Sequence, residues 1–177
     1  KDSILLRKYS KRINSLKLIT NQAPDFPNIS ITNLSEIPKV AHISWKRKDI
    51  LNKGYKLIDK GVSNLCSLNP EWDVIIYDDE DVNKTLRDCL GASNWACIKN
   101  KTMTAKTDLW RLIKTYQDGG LYTDIDRYID TPISEILTPE TKMVIPTYLD
   151  VDFSQDFILT FPSNPIIGRA IESNLRF

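Results

Sequence analysis

The run GGLYTDIDRYI (119–129) places two carboxylates, Asp124 and Asp126, two residues apart between apolar and aromatic neighbours. Burying a carboxylate is costly unless something cationic meets it. Three chemistries suit such a pair: a structural turn, a divalent-metal site, or a covalent aspartyl nucleophile. If the run is a strand, alternation points both side chains to one face. Two like charges there repel, and a hard divalent cation relieves that. Oxygen ligands at this spacing suit Mg²⁺ or Mn²⁺, which keep waters and complete their shell with substrate phosphates. Two other D-x-D triplets occur, Asp79/Asp81 and Asp150/Asp152. The first sits at a strand-to-helix junction, where helix capping accounts for it, and the second falls between two strand candidates in a turn or loop.

A second group precedes the first pair. Asp108 and Arg111, three apart on a helical pattern, flank an apolar stripe and reach the same edge of the fold. They form either a local ion pair or a charged pair placed over whatever binds at Asp124 and Asp126. The Gly119-Gly120 pair would turn this helix back beside the acidic strand.

The elements that must position these residues alternate along the chain. Strands are predicted over 39–45, 72–79, 121–129, 142–149 and 157–161. Helices are predicted over 54–69, over 81–90 (opened by Asp79 or Asp81), over 104–120, and from 164 to 175 with Pro165 near the first position. This alternation implies an α/β fold with a mostly parallel central sheet flanked by helices. Ligands in such sheets gather at the carboxyl ends of strands. Residues 1–36 read as a separate basic N-terminal helix and linker: Leu5, Leu6, Tyr9, Ile13 and Leu16 at helical spacing, opposite Lys and Arg, then a Pro-punctuated stretch. Residues 37–177 form the main domain.

The 177-residue length suits one domain with a core, and 41% hydrophobic with 27% charged residues is a globular balance. A net charge of +1 gives no global field for nucleic acid. Cys66, Cys89 and Cys97 make no C-x-x-C and no disulfide framework, and read as ordinary small apolar residues. The single histidine, His42, lies mid-strand and reads as a satisfied core residue. Trp72, Trp95 and Trp110 read as core or rim aromatics. No run is long and apolar enough to span a bilayer. The chain starts at Lys1, so membrane association is expected only through a removed or upstream segment, and the compartment, Golgi or secretory lumen or cytoplasm, stays open.

IPKVAHISW (37–45), WDVIIYDD (72–79) and AKTDLWRLIKTYQDGGLYTDIDRYI (105–129) together resemble the glycosyltransferases with a DXD sugar-binding region. That group includes the yeast-type initiating α-mannosyltransferases and, more distantly, the glucosylating clostridial toxins. Helix, glycine pair, aromatic and D-x-D fall at the family's offsets. Thr107 stands where Ser is usual, and the glycine often found after Trp45 is missing. The resemblance implies a GT-A-type nucleotide-binding fold, shortened at the carboxyl end. It also implies a metal-dependent transferase acting with retention, moving a sugar from a UDP- or GDP-sugar to a glycan or protein acceptor. By the same resemblance Asp124 would touch the donor's ribose or sugar and Asp126 would ligate Mn²⁺ (or Mg²⁺) at the diphosphate. Asp108 and Arg111 would bind the donor sugar, Tyr122 would line the pocket, and Trp45 would lie near the base. Two rivals remain. One is a non-catalytic sugar-nucleotide-binding module. The other is a phosphohydrolase of the haloacid-dehalogenase type, in which the first Asp is the nucleophile.

Overall fold

The computed structural model describes residues 36–148 and 152–175; the basic helix expected at the amino end and the triplet residue Asp150 lie outside them. Strand β1 (Val40–Ser44) leads through a 3-10 turn (Lys48–Ile50) to helix α1 (Lys56–Leu68), then β2 (Asp73–Tyr77). Helices α2 (Asp79–Ile98) and α3 (Met103–Asp118) follow, then β3 (Gly120–Thr123) and the short α4 (Ile133–Ile136). The chain continues with β4 (Met143–Val144), β5 (Thr147–Tyr148), β6 (Asp152–Phe153), β7 (Phe157–Thr160) and α5 (Pro165–Leu175).

Among the described residues the main sheet runs β2-β1-β3-β7-β4. β2, β1 and β3 are parallel, with Val40 opposite Asp73 and Ala41 opposite Leu121. β7 is antiparallel to both β3 and β4. The sheet is therefore mostly parallel, as expected, with one reversed strand inside it. From β1 the chain crosses to one side for β2 and to the other for β3. That reversal opens a crevice at the carboxyl ends of β1 and β3, where ligands of α/β sheets bind.

β3 and β7 are buried along their whole length. Their side chains sort by alternation: Tyr122 and Ile158, paired in register, join the core under α2, α3 and α5 with Trp110, Ile113 and Tyr116. Leu121 and Leu159 join the opposite core with Ala41, Ile43, Ile58, Val62 and Leu65. Trp72 and Trp110 are core residues, Trp95 packs at the rim, and Cys66 and Cys97 lie at the surface rather than in a core. No described helix is long and apolar enough to cross a membrane.

Three expectations need correction. α2 is capped by Asp78, not Asp79 or Asp81. Asp78 Oδ1 accepts from Glu80 N (3.1 Å) and Asp81 N (3.0 Å), and Asp81 reaches back to Asp78 N (3.1 Å). This reciprocal box needs a cap with an acceptor three residues on, and only Asp78 meets that as the strand ends. The same helix passes Gly91 (φ 70°, ψ 171°) with a kink and runs on to Ile98. The strand expected over 142–149 is two pieces, because Pro146 cannot donate to a ladder; β4 pairs with β7, and β5 forms a hairpin with β6. The strand expected over 121–129 ends at Thr123. Asp124 N makes a last bond to Asp156 O (2.9 Å), then Arg127 N closes a turn on Asp124 O (3.1 Å). The two aspartates therefore project from a turn at the strand's end, not from one strand face.

α3 enters β3 with no loop. Gly119 (φ 67°) and Gly120 (φ 82°) take left-handed conformations, and a Cβ at 120 would stand 2.4 Å from Val40 O. Beneath the turn, buried His42 donates through Nε2 to Gly119 O (3.0 Å), which leaves Nδ1 to accept from the Tyr77 hydroxyl (3.2 Å). Burial, with the nearby Lys114 charge, pushes the His42 pKa down from 6.5 to about 4, against the opposing pull of Asp118 and the Gly119 carbonyl.

Two outcomes follow for stability. Gly120→Ala should cost about 3 kcal/mol or more, left-handed strain plus overlap with Val40 O. Gly54→Ala, at φ 88° with open space around it, should lose only about 1 kcal/mol. Urea unfolding compares them, and equal losses would remove the steric argument. For His42 the folded state holds fewer protons than the unfolded chain between pH 6.5 and 4. Its contribution is complete above the unfolded pKa and drains as pH falls through that window, by about 3 kcal/mol in all. His42→Gln should show a correspondingly shallower loss between pH 7 and 4; matching slopes would mean His42 charges freely in the fold.

Candidate active site

At the crevice lies a cavity of about 320 Å³. The end of β1 supplies Ser44, Trp45 and Lys46; the start of α2 supplies Asp79. The first turns of α3 supply Met103, Thr104, Thr107 and Arg111, and β3 with its turn supplies Tyr122, Asp124, Ile125 and Asp126. Trp45 is held there because its N–H donates to Tyr77 O (2.9 Å), carrying the β1–β2 pairing one residue past the strand.

Arg111 is the centre of the polar cluster. α3 carries it two turns before the glycine junction, and its side chain is only 9% exposed. A buried guanidinium needs partners. Nη2 donates to Asp108 Oδ1 (2.7 Å), Nη1 donates to Gln155 O (2.7 Å), and Nη1 stands 3.5 Å from Asp124 Oδ1. The guanidinium also lies over the Tyr122 ring, 4.6 Å from its centroid. Among the described residues its Nε finds no acceptor.

Asp124 is half-buried. Its Oδ1 accepts from the Tyr122 hydroxyl (2.6 Å), a phenol that burial keeps protonated. Burial raises the Asp124 carboxyl above its usual range, Tyr122 and Arg111 pull it down, and the charges of Asp156 and Asp126 push it up again. Asp156 forms an ion pair with Arg127 and accepts a hydrogen bond from Ser154. Asp126 is exposed on the cavity wall, and makes no hydrogen bond or ion pair with the described residues.

The residues marked in the sequence separate into two roles here. Trp45, Arg111, Tyr122, Asp124 and Asp126 all line the cavity; Asp108 does not, and meets it only through Arg111. Lining residues that the sequence reading missed include Ser44, Lys46, Thr104, Thr107 and Asp79. The signal for them was present: Thr104, Thr107 and Arg111 share one helix face by spacing, and residues following β1 and β2 belong to the ligand end of a parallel sheet. Asp79 was assigned to capping, a task that Asp78 performs.

Could these residues hold a divalent cation? Among the described residues no group of three or more ligating side chains gathers, so a closed protein cage is not built. Mg²⁺ and Mn²⁺ sites of the open kind use one or two carboxylates and borrow phosphate and water oxygens. An unpaired Asp126 beside a charge-poised Asp124 fits that donor set.

Residues 56–143 match the family described as the glycosyltransferase sugar-binding region containing DXD motif. Over 148 residues the chain is 23% identical to inositol phosphoceramide mannosyltransferase 1 of Schizosaccharomyces pombe (strain 972 / ATCC 24843), covering 81% of this chain and 44% of that relative. The chain thus spans less than half the length of the curated relative. Among solved structures, the PaToxG glycosyltransferase superposes with a TM-score of 0.51 at 17% identity, covering 94% of this chain and 69% of that one. The shared fold is the mostly parallel α/β arrangement of GT-A type, and the family match leaves the haloacid-dehalogenase-type reading without support. Residues 56–143 of this chain therefore belong to the glycosyltransferase sugar-binding regions that contain a DXD motif.

Proposed function

We propose that this chain is a metal-dependent glycosyltransferase that moves a hexose from a UDP- or GDP-sugar to a glycan or protein acceptor with retention. The observation that carries the reading is the carboxylate of Asp126, unpaired among the described residues, beside the Arg111–Asp124–Tyr122 cluster, at the cavity where the sheet's chain order reverses. The relative's name, an inositol phosphoceramide mannosyltransferase, makes mannose one candidate for the sugar.

Asp126 and Asp124 would hold Mn²⁺ or Mg²⁺ on the cavity wall. When bound, the cation supplies Lewis-acid neutralisation of the diphosphate leaving group. Arg111 adds fixed positive charge on the α3 side, preorganised by Asp108 and the Gln155 carbonyl, so no reorganisation is needed as charge develops. Tyr122 orients the Asp124 carboxylate toward the cavity. Thr104 and Thr107 offer hydroxyls to the sugar, and the Trp45 indole offers a stacking face to the nucleobase. The division into a domain from residue 37 onward and a basic amino-terminal segment belongs to the same proposal.

Calorimetry with UDP, GDP and their sugars, with and without Mn²⁺, tests the reading. Mn²⁺ should strengthen binding at least about tenfold, and Asp126→Asn should abolish the gain. Metal-independent binding, unchanged in Asp126→Asn, would overturn the metal site. Slow donor hydrolysis by the wild type would separate an enzyme from a module that only binds.

Arg111→Met should raise the Asp124 carboxyl pKa, because the stabilising cation is gone while Asp126 and Asp156 remain. It should also cost about 2 kcal/mol of stability through lost charge-assisted hydrogen bonds. Arg111→Lys should not rescue, since an ammonium cannot span Asp108, Gln155 O and Asp124 at once. Carboxyl-carbon NMR reads the titration; an unmoved Asp124 would mean the two groups are not coupled.

A further inference from the structure

The turn bearing Asp124 and Asp126 is seated on a helix from the far side of the sheet. In the middle of α1, a Cβ built at Gly61 would stand 2.9 Å from Ile125 O and 3.2 Å from Arg127 O, with Asp126 C at 3.8 Å. Those two carbonyls flank Asp126 in the chain. One turn on, Asn64 Oδ1 accepts from Ile129 N (2.9 Å), and past the helix end Asn69 Oδ1 accepts from Ile133 N (2.7 Å). Gly61, Asn64, Leu65 and Asn69 share one face of α1 by their spacing.

Nothing in the backbone of Gly61 calls for glycine. It is not among the glycines with positive φ, and glycine inside a helix is less favourable than alanine. What calls for glycine is space: the helix approaches the turn so closely that a methyl group would collide with main-chain oxygens. Asn64 likewise gives its acceptor to an amide that has left the sheet and has no ladder partner.

We infer that Gly61 and Asn64 are positioning residues that set where Asp126 stands over the cavity. Asp126 has no side-chain partner among the described residues, so its place is set by the backbone that carries it. That backbone is held from within by the Arg127 N–Asp124 O bond (3.1 Å) and from below by α1. Neither Gly61 nor Asn64 lines the cavity. The inference rests on the proposed role of Asp126 in nucleotide binding.

Three variants of the whole chain test it: Gly61→Ala, Asn64→Leu, and Asn64→Asp, which keeps the acceptor. Readouts are melting temperature, Mn²⁺-dependent binding of UDP and GDP, and amide hydrogen exchange over 125–131. Gly61→Ala should preserve helicity while weakening nucleotide binding about tenfold and speeding exchange across the turn, since displacements of about an ångström carry such losses. Asn64→Leu should act in the same direction, and Asn64→Asp should return binding to within about threefold of wild type because its carboxylate still accepts from Ile129 N. Wild-type binding and exchange in both Gly61→Ala and Asn64→Leu would overturn the inference; equal losses in Asn64→Leu and Asn64→Asp would overturn the part assigned to the Asn64 acceptor. Should Gly61→Ala fail to fold, the Asn64 pair decides. If the wild type binds neither nucleotide, the proposed function fails, and unchanged exchange over 125–131 in Asn64→Leu alone would overturn the seating.

Discussion

The close approach of main chain to main chain at Gly119 and Gly120 is the constraint from which the site follows. With no loop between α3 and β3, Arg111 on the helix and Asp124 past the strand are fixed relative to one another by two rigid elements and one junction. The junction tolerates no side chain: Val40 O, Pro162 Cδ and Pro38 Cδ all stand within 3 Å of the places a Cβ would occupy. His42 ties the same turn to β1 from below, since its Nε2 donates to the Gly119 carbonyl that the turn leaves without a helical partner. Held neutral, the buried imidazole donates from Nε2 while its Nδ1 accepts from the Tyr77 hydroxyl, and protonation would remove that acceptor.

Charge decides what the cavity can accept. Asp79, Asp124 and Asp126 line the cavity with Lys46 and the buried Arg111, whose contacts are already divided among Asp108, Gln155 O and Asp124. Asp156, whose charge also reaches Asp124, is taken up by Arg127. Among the described residues, negative charge without an ion pair is left at Asp79 and Asp126 on the cavity wall. Under the proposed function, acids at this wall would favour a diphosphate that enters together with a cation.

Much of this was legible in the sequence, for identifiable reasons. Helical periodicity over 104–120, ended by two glycines, marked α3 and its junction, because the stripe Leu109, Leu112, Ile113 and Tyr116 is long enough to be unambiguous. The parallel half of the sheet followed from strands alternating with helices. The end of β3 was not legible. LYTDIDRYI keeps a strand's alternation beyond the point where β1 and β7 cease to offer partners, and strand pairing is tertiary information. The error reversed the reasoning about the carboxylates while leaving them in one cavity: a turn, not a shared strand face, brings them to the same wall. The cap at Asp78 was missed by one residue, among four consecutive candidates, because local sequence does not say where a strand gives way.

The turn's placement between two cores explains why the site needs both faces of the sheet. Arg111, Thr104 and Thr107 approach from the α3 side, where Tyr122 points; Ile125, Ile129 and Ile133 bury themselves on the α1 side. Residues 124–129 thus cross from one face of the sheet to the other over its carboxyl edge. Their apolar members anchor the crossing, with Ile125 and Ile129 each under a tenth exposed. Asp124 and Asp126 are what is left pointing outward once Ile125 is pulled in. The alternation that suggests a strand is here the pattern of a crossing segment, in which one inward isoleucine between two aspartates holds both acids at the cavity wall, Asp124 with the further help of the Tyr122 hydroxyl and Asp126 through its backbone alone among the described residues.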